Sequence, residues 1–221
     1  MAAACACVLA ASELPPMRAS GAQLRPAPFR GTAVRQLARG KLLVAARRLP
    51  DPNFARTVVL LADVGDEGAM GLIVNRRTNM AVGSLLPGVE PSLATAARAF
   101  FGGPVAVSGL LALLRSADPP PNARHVVEDV YLLNDPESLT VSLRRGHGPD
   151  RLRVYVGYAG WGPGQLQDET ASGVWHVLDG EARIVFDEDP DSTWLRQIER
   201  TEALSARCGG RCAGGYRITP A

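Results

Sequence analysis

The sequence predicts a single α+β domain of mixed, mostly antiparallel, bent or coiled β-sheets with a few flanking helices. Three observations lead there. Apolar, β-rich runs are interspersed with short helical patterns, so both element types are present. Several of these runs are joined by too few residues for a parallel crossover, which needs about a dozen or more, so neighbouring strands should pair antiparallel. No internal repeat and no second linker interrupts residues 40–205. A chain of 221 residues, 46% hydrophobic, is long enough to bury a core without disulfide staples.

Residues 1–39 read as an extension, either disordered or a processed targeting segment. Residues 2–11 are apolar but lack a basic leader, and prolines at 15, 16, 26 and 28 follow at once. An upstream start with Met17 as the true one fits the same composition. Residues 206–221 are rich in Gly, Arg and Cys and are expected to form a flexible tail.

From Gly40 the elements follow in order. Residues 41–46 (KLLVAA) form a short apolar strand, and residues 47–54 a loop broken by two prolines. Residues 56–63 and 69–75 are nearly all apolar, hence strands buried on both faces, and Gly65-Asp66-Glu67-Gly68 closes them into an antiparallel pair. A polar stretch precedes a helical piece near residues 82–86. Residues 94–101 lead into the break Gly102-Gly103-Pro104-Val105. Residues 110–114 fit strand or helix, because a short apolar run has no decisive period. Residues 118–122 (DPPPN) are an exposed loop, and residues 126–133 a strand.

Asp135-Pro136-Glu137 supplies a cap, a proline at the first helical position and an acidic first turn, so a helix should run to about Arg145 and stop at Gly146. Residues 152–157 are a strand. After it come four glycines and a proline within eight residues, ending at Gly164, and a helix over 165–172 stopped by Gly173. Residues 174–178 and 182–186 predict a hairpin around Asp179-Gly180. Asp191-Ser192 should cap a last helix with Trp194, Leu195 and Ile198 turned inward.

The rest of the chain is expected to converge on the glycine-rich corner of residues 157–164, with Tyr158 and Trp161 inside the turn. Strand ends followed by glycine breaks place functional groups on loops held by a rigid sheet. The candidate binding surface is therefore Asn75, Arg76, Gly102, Gly103, Pro104, Gly160, Trp161, Gly162, Gln165 and Glu169. The competing reading is that Trp161 simply fills the core. A phosphate cradle is disfavoured: the spacing is not G-x-G-x-x-G, Pro163 removes an N–H, and Asp168 and Glu169 occupy the first helical turn.

Charge and composition narrow the function classes. Residues 1–40 hold five arginines against one glutamate, while the whole chain is +2, so residues 41–221 are at −2. A domain that neutralises phosphates usually shows a basic excess, so direct nucleic-acid binding is disfavoured. No apolar run approaches the roughly 18 residues of a membrane span. His125, His147 and His176 have no partner at ligand spacing, and Ser108 lacks a nucleophile elbow. Asp187, Glu188, Asp189 and Asp191 read as a solvated turn. Cysteines 5, 7, 208 and 212 all lie outside the expected core, which argues against a disulfide framework. No catalytic residue, cofactor or metal is expected, and the chain is read as cytoplasmic.

Four blocks resemble the AlgH/YqgE family, a bacterial family of unknown function often labelled a transcriptional regulator. They are Gly40–Ala45 with Asp51–Leu61, Gly68–Arg76, Phe101–Val105 and Gly157–Leu166, with Trp175 following at the family's distance. The resemblance covers about residues 40–200 and implies an α+β fold of bent, coiled sheets. It implies no established activity. Arg47 and Arg77 stand where the family usually has proline, and Asp63-Val64 stands where it usually has a histidine. Residues and resemblance together lead to a non-enzymatic regulatory or interaction module that binds a partner at the corner. The alternatives are a small-molecule-binding protein or enzyme using the same groove and, last, a transcriptional regulator contacting DNA.

Overall fold

The computed structural model describes residues 37–86 and 97–207, and the expectations for residues 1–36 and 208–221 lie outside the described residues. Ten strands form one curled sheet. They are β1 (Lys41–Ala45), β2 (Val58–Gly65), β3 (Gly68–Ile73), β4 (Arg77–Ala81), β5 (Arg98–Phe101), β6 (Val105–Arg115), β7 (Arg124–Val127), β8 (Val130–Leu133), β9 (Leu152–Trp161) and β10 (Trp175–Asp179). Five helices flank it among the described residues: α1 (Val82–Leu85), α2 (Pro136–Arg144), α3 (Gln165–Ala171), α4 (Ala182–Val185) and α5 (Pro190–Arg207).

The strand order is β10-β1-β2-β3-β9-β6-β8-β7, with β4 paired to β5 and β5 to β9. Every pairing is antiparallel except β5 with β9. The sheet curls far enough that Gly40, at the head of β1, lies against Val126 and Val127 of β7. This is the α+β class read from the sequence, with the sheet rolled into a half-barrel.

The β1–β2–β3 meander is the core, as its apolar runs require. Residues 42–45 and 58–62 are all buried. A smaller cluster collects Val82, Leu114, Leu133, Leu139, Leu143 and Leu152 beneath α2. That helix starts where the sequence places it: the Asp135 carboxylate accepts from the Ser138 N–H at 2.7 Å, a bond that holds its carboxyl below the usual range. Against the main cluster lies Arg153, only 3% exposed, with its guanidinium 4.7 Å from the Phe100 ring and 5.6 Å from Phe186. It donates to the Val185 carbonyl at 2.8 Å and also to the Asp187 carbonyl. Backbone dipoles and aromatic faces take the place of a carboxylate there.

Several local expectations are corrected. Residues 126–133 are not one strand but part of the β7–β8 hairpin, turned at Glu128 with φ +47°. The run 110–114, left open between strand and helix by its sequence, is strand, inside β6. The polar stretch before α1 is the strand β4. Residues 182–185 are helical rather than the second strand of a hairpin, and β10 pairs with β1 alone at the end of the strand order. The last helix begins at Pro190, with the Asp189 carboxylate lowered by hydrogen bonds from Ser192, and Leu195 faces solvent while Trp194 and Ile198 face in. The strand expected to end at Gly157 continues to Trp161, so Tyr158 and Trp161 are strand residues.

Both glycine motifs belong to a single backbone crossing. Tyr155 and Val156 of β9 pair with β5 on one edge and β6 on the other, so the β5–β6 connection must pass across β9. It does so at Gly102-Gly103-Pro104. A Cβ on Gly103 would sit 2.2 Å from the Tyr158 carbonyl carbon, and one on Gly157 would sit 2.4 Å from the Gly103 oxygen. Gly103 (φ +151°) and Gly157 (φ +67°) also occupy backbone space that side chains avoid. The crossing requires glycine on both strands.

Candidate functional site

Side chains alternate across β9, so the bend has two faces with different chemistry. On one face Trp161 (6% exposed) meets Trp175 (3%) edge to face at 6.0 Å, and Phe54 packs on both at 6.1 and 5.8 Å. Both indole N–H groups donate to one oxygen of Glu169, at 2.9 Å from Trp161 and 2.8 Å from Trp175. Gln165 donates to the other oxygen at 2.9 Å and accepts from the Gly162 N–H at 3.1 Å. The bonds of Trp161, Gly162, Gln165 and Glu169 thus close on one another, and α3 is fastened to the sheet by its own polar face.

Asn75 and Arg76 serve a neighbouring loop rather than this cluster. Asn75 accepts from the Val58 N–H at 2.8 Å and donates to the Arg56 carbonyl at 3.0 Å. Arg76 donates to the carbonyls of Asn53 (2.8 Å) and Ala55 (3.2 Å) and lies 5.7 Å over the Phe101 ring. Its pKa is pulled down by burial. The loop these two residues hold carries Phe54 into the tryptophans. The candidate residues therefore form a chain of contacts: Arg76 to the loop, Phe54 to Trp161, Trp161 to Glu169, with Gly102, Gly103 and Pro104 at the crossing behind.

Gly160 faces the other way, its α-carbon toward Tyr158 and Val105. On that side a groove of about 260 Å³ opens, with Met70, Leu110, Leu111, Leu132 and Tyr158 among its lining and Arg124 at its border. Beside it β6 breaks register. Val105 pairs with Tyr158 and Leu110 with Val156, so the four residues 106–109 stand against the single Gly157. Ala106 takes φ +48°, a left-handed conformation that is strained for a residue with a Cβ. The bulge leaves Val105 37% and Val107 58% exposed. Bulges of this kind re-aim side chains and cluster at functional sites.

Sequence reasoning missed this groove. The available signal was Val105-Ala-Val-Ser-Gly109, an uncharged β-branched run that would have had to be recognised as solvent-facing. A further cleft of about 520 Å³ lies at the far end of β6, around Arg115, Asp129, Arg151, Phe186, Asp187 and Glu188. Several of its charges are engaged with protein groups, as in Arg115–Asp129 at 2.8 Å and Asp187 with Arg196.

Among the described residues no group of three or more His, Cys, Asp or Glu is placed to hold a metal ion. His125 contacts the Tyr131 ring and the Glu128 carbonyl. His176 is half-buried on β10, its pKa lowered by desolvation. No described helix is long and apolar enough to cross a membrane.

A family model described as AlgH-like matches residues 42–204. A UPF0301 protein of Streptomyces avermitilis is 37% identical over 166 residues, covering 73% of this chain and 85% of the relative. A UPF0301 protein of Ruegeria pomeroyi is 38% identical over 160 residues, covering 70% and 86%. The solution structure of the AlgH protein from Pseudomonas aeruginosa superposes with a TM-score of 0.59 at 26% identity, covering 80% of this chain and 95% of that one. A crystal structure from Corynebacterium diphtheriae gives 0.62 at 23% identity, covering 74% and 87%, a likeness of fold alone.

Proposed function

The chain belongs to the AlgH-like family, and from that premise we propose that it is a non-enzymatic regulatory module of the cytoplasm whose apolar groove docks an extended segment of a partner protein. The observation that carries this reading is the groove beneath the β9 bend, lined by Ala106, whose chain neighbours Val105 and Val107 are exposed. Clustered apolar side chains left in water mark interaction surfaces. At about 260 Å³ the groove falls below the roughly 300–1,000 Å³ of small-molecule sites, which favours a side chain of a protein over a metabolite.

The corner contributes indirectly. Trp161, Trp175, Phe54 and Glu169 lock one face of β9, and that rigidity fixes the groove on the other. A direct role in DNA binding is disfavoured by the −2 balance of residues 41–221.

The test is affinity purification from the source cell with the full chain and its Val107→Asp variant as baits, read by mass spectrometry. Because Val107 is exposed, the variant should fold as the parent does. Proteins captured by the parent and lost from the variant are the expected result. An identical set from both baits would refute the groove as the docking surface.

A further inference from the structure

The border of the groove carries surplus positive charge. Asp63 stands across the β2–β3 ladder from Met70. Its two carboxylate oxygens each accept one hydrogen bond, from Arg39 Nη2 and from Arg124 Nη2, both at 2.9 Å. Those bonds, Arg124's foremost, hold the Asp63 carboxyl below the usual range, so it is ionised at neutral pH. Two guanidiniums thus share one carboxylate, and the cluster keeps one net positive charge.

Arg124 is also the charged side chain on the groove itself. A guanidinium offers five N–H donors. Among the described residues only the Nη2 of Arg124 is engaged by an acceptor, which leaves Nε and Nη1 for another. Beside apolar walls a charge-assisted bond is stronger than in open water. A basic segment would instead meet the surplus charge of like sign.

Resting on the reading of the groove as a docking surface for a protein segment, we propose that this segment carries an Asp or Glu beside an aliphatic side chain. The aliphatic group lodges against Met70, Leu110, Leu111 and Tyr158, and the carboxylate accepts from Arg124. The fit is one of charge as well as shape. Asp63 takes part by holding Arg124 at the rim, and the partner's carboxylate completes the pairing of the two arginines.

The experiment selects random short peptides displayed on phage against the full chain, then measures synthetic copies by fluorescence anisotropy with the parent, Val107→Asp and Arg124→Gln. The expected peptides hold Asp or Glu next to an aliphatic residue. Their affinity should fall by roughly tenfold or more in Arg124→Gln, as for a lost charge-assisted bond. Replacing the peptide's acid by its amide should cost about the same, and the two changes together little more than either. Selected peptides that lack an acid, or that lose binding in Val107→Asp but keep it in Arg124→Gln, would overturn this inference and leave the groove standing. Failure to obtain any peptide whose binding depends on Val107 would overturn both.

Discussion

Trp161 and Trp175, fourteen positions apart in sequence, donate their indole N–H groups to the same oxygen of Glu169. One carboxylate thereby joins the end of β9, the start of β10 and the middle of α3. The arrangement is a structural knot, because both indoles are buried and their N–H groups share one half-buried carboxylate.

Glu169→Ala is expected to destabilise the fold by about 2–6 kcal/mol, since it leaves two buried donors unsatisfied at roughly 1–3 kcal/mol each. Glu169→Gln retains one acceptor oxygen and should cost less. Urea unfolding followed by tryptophan fluorescence reads both, and a loss under about 1 kcal/mol for the alanine variant would contradict the bonding described.

The crossing of β5–β6 over β9 predicts a contrast between glycines. Gly103→Ala would drive a Cβ to within 2.2 Å of Tyr158 backbone, and nothing there is a flexible side chain that can yield. It should cost more than about 4 kcal/mol, or abolish folding outright. Gly146→Ala meets open space and pays only for its φ of +72°, about 1 kcal/mol. Thermal melts of the two variants side by side decide the matter, and equal midpoints would rule out the crossing.

His176 makes stability depend on pH. Burial lowers its pKa in the folded chain, while the unfolded chain titrates near the ordinary value of about 6.5. The unfolded state therefore takes up a proton first, and stability falls as pH drops through that value towards the folded pKa. Glu202 opposes the shift and limits its size. The His176→Gln variant should show a flatter stability profile between about pH 7 and 5. A profile unchanged from the parent would assign the pH dependence elsewhere.

Much of the fold was legible in local sequence. The apolar runs of residues 42–45 and 58–62 with the turn Gly65-Asp66-Glu67-Gly68 specify an antiparallel meander, since no crossover fits in that length. Asp135-Pro136-Glu137 specifies a helix start because cap, fixed φ and first-turn charge all act within one turn. The family blocks carried the same information in compressed form.

Other features depend on contacts between distant residues. Nothing near Gly102 or Gly157 says that these glycines face each other; a glycine permits an open turn and a close backbone approach equally well. Leu195 is expected inward by spacing, but the buried stripe of α5 runs through Thr193, Trp194, Gln197, Ile198 and Thr201, which leaves Leu195 in water. Residues 105–109 read as an ordinary β run until β9 kinks at Gly157 and forces four residues to stand against one. The sequence by itself determined the α+β class, the antiparallel β1–β2–β3 meander and the start of α2, because those follow from backbone preference and periodicity within a few residues. Only the tertiary structure decided which glycines cross, that Trp161 is buried while Val107 is exposed, and where the groove lies, because burial and pairing are set by which surfaces meet when the sheet curls.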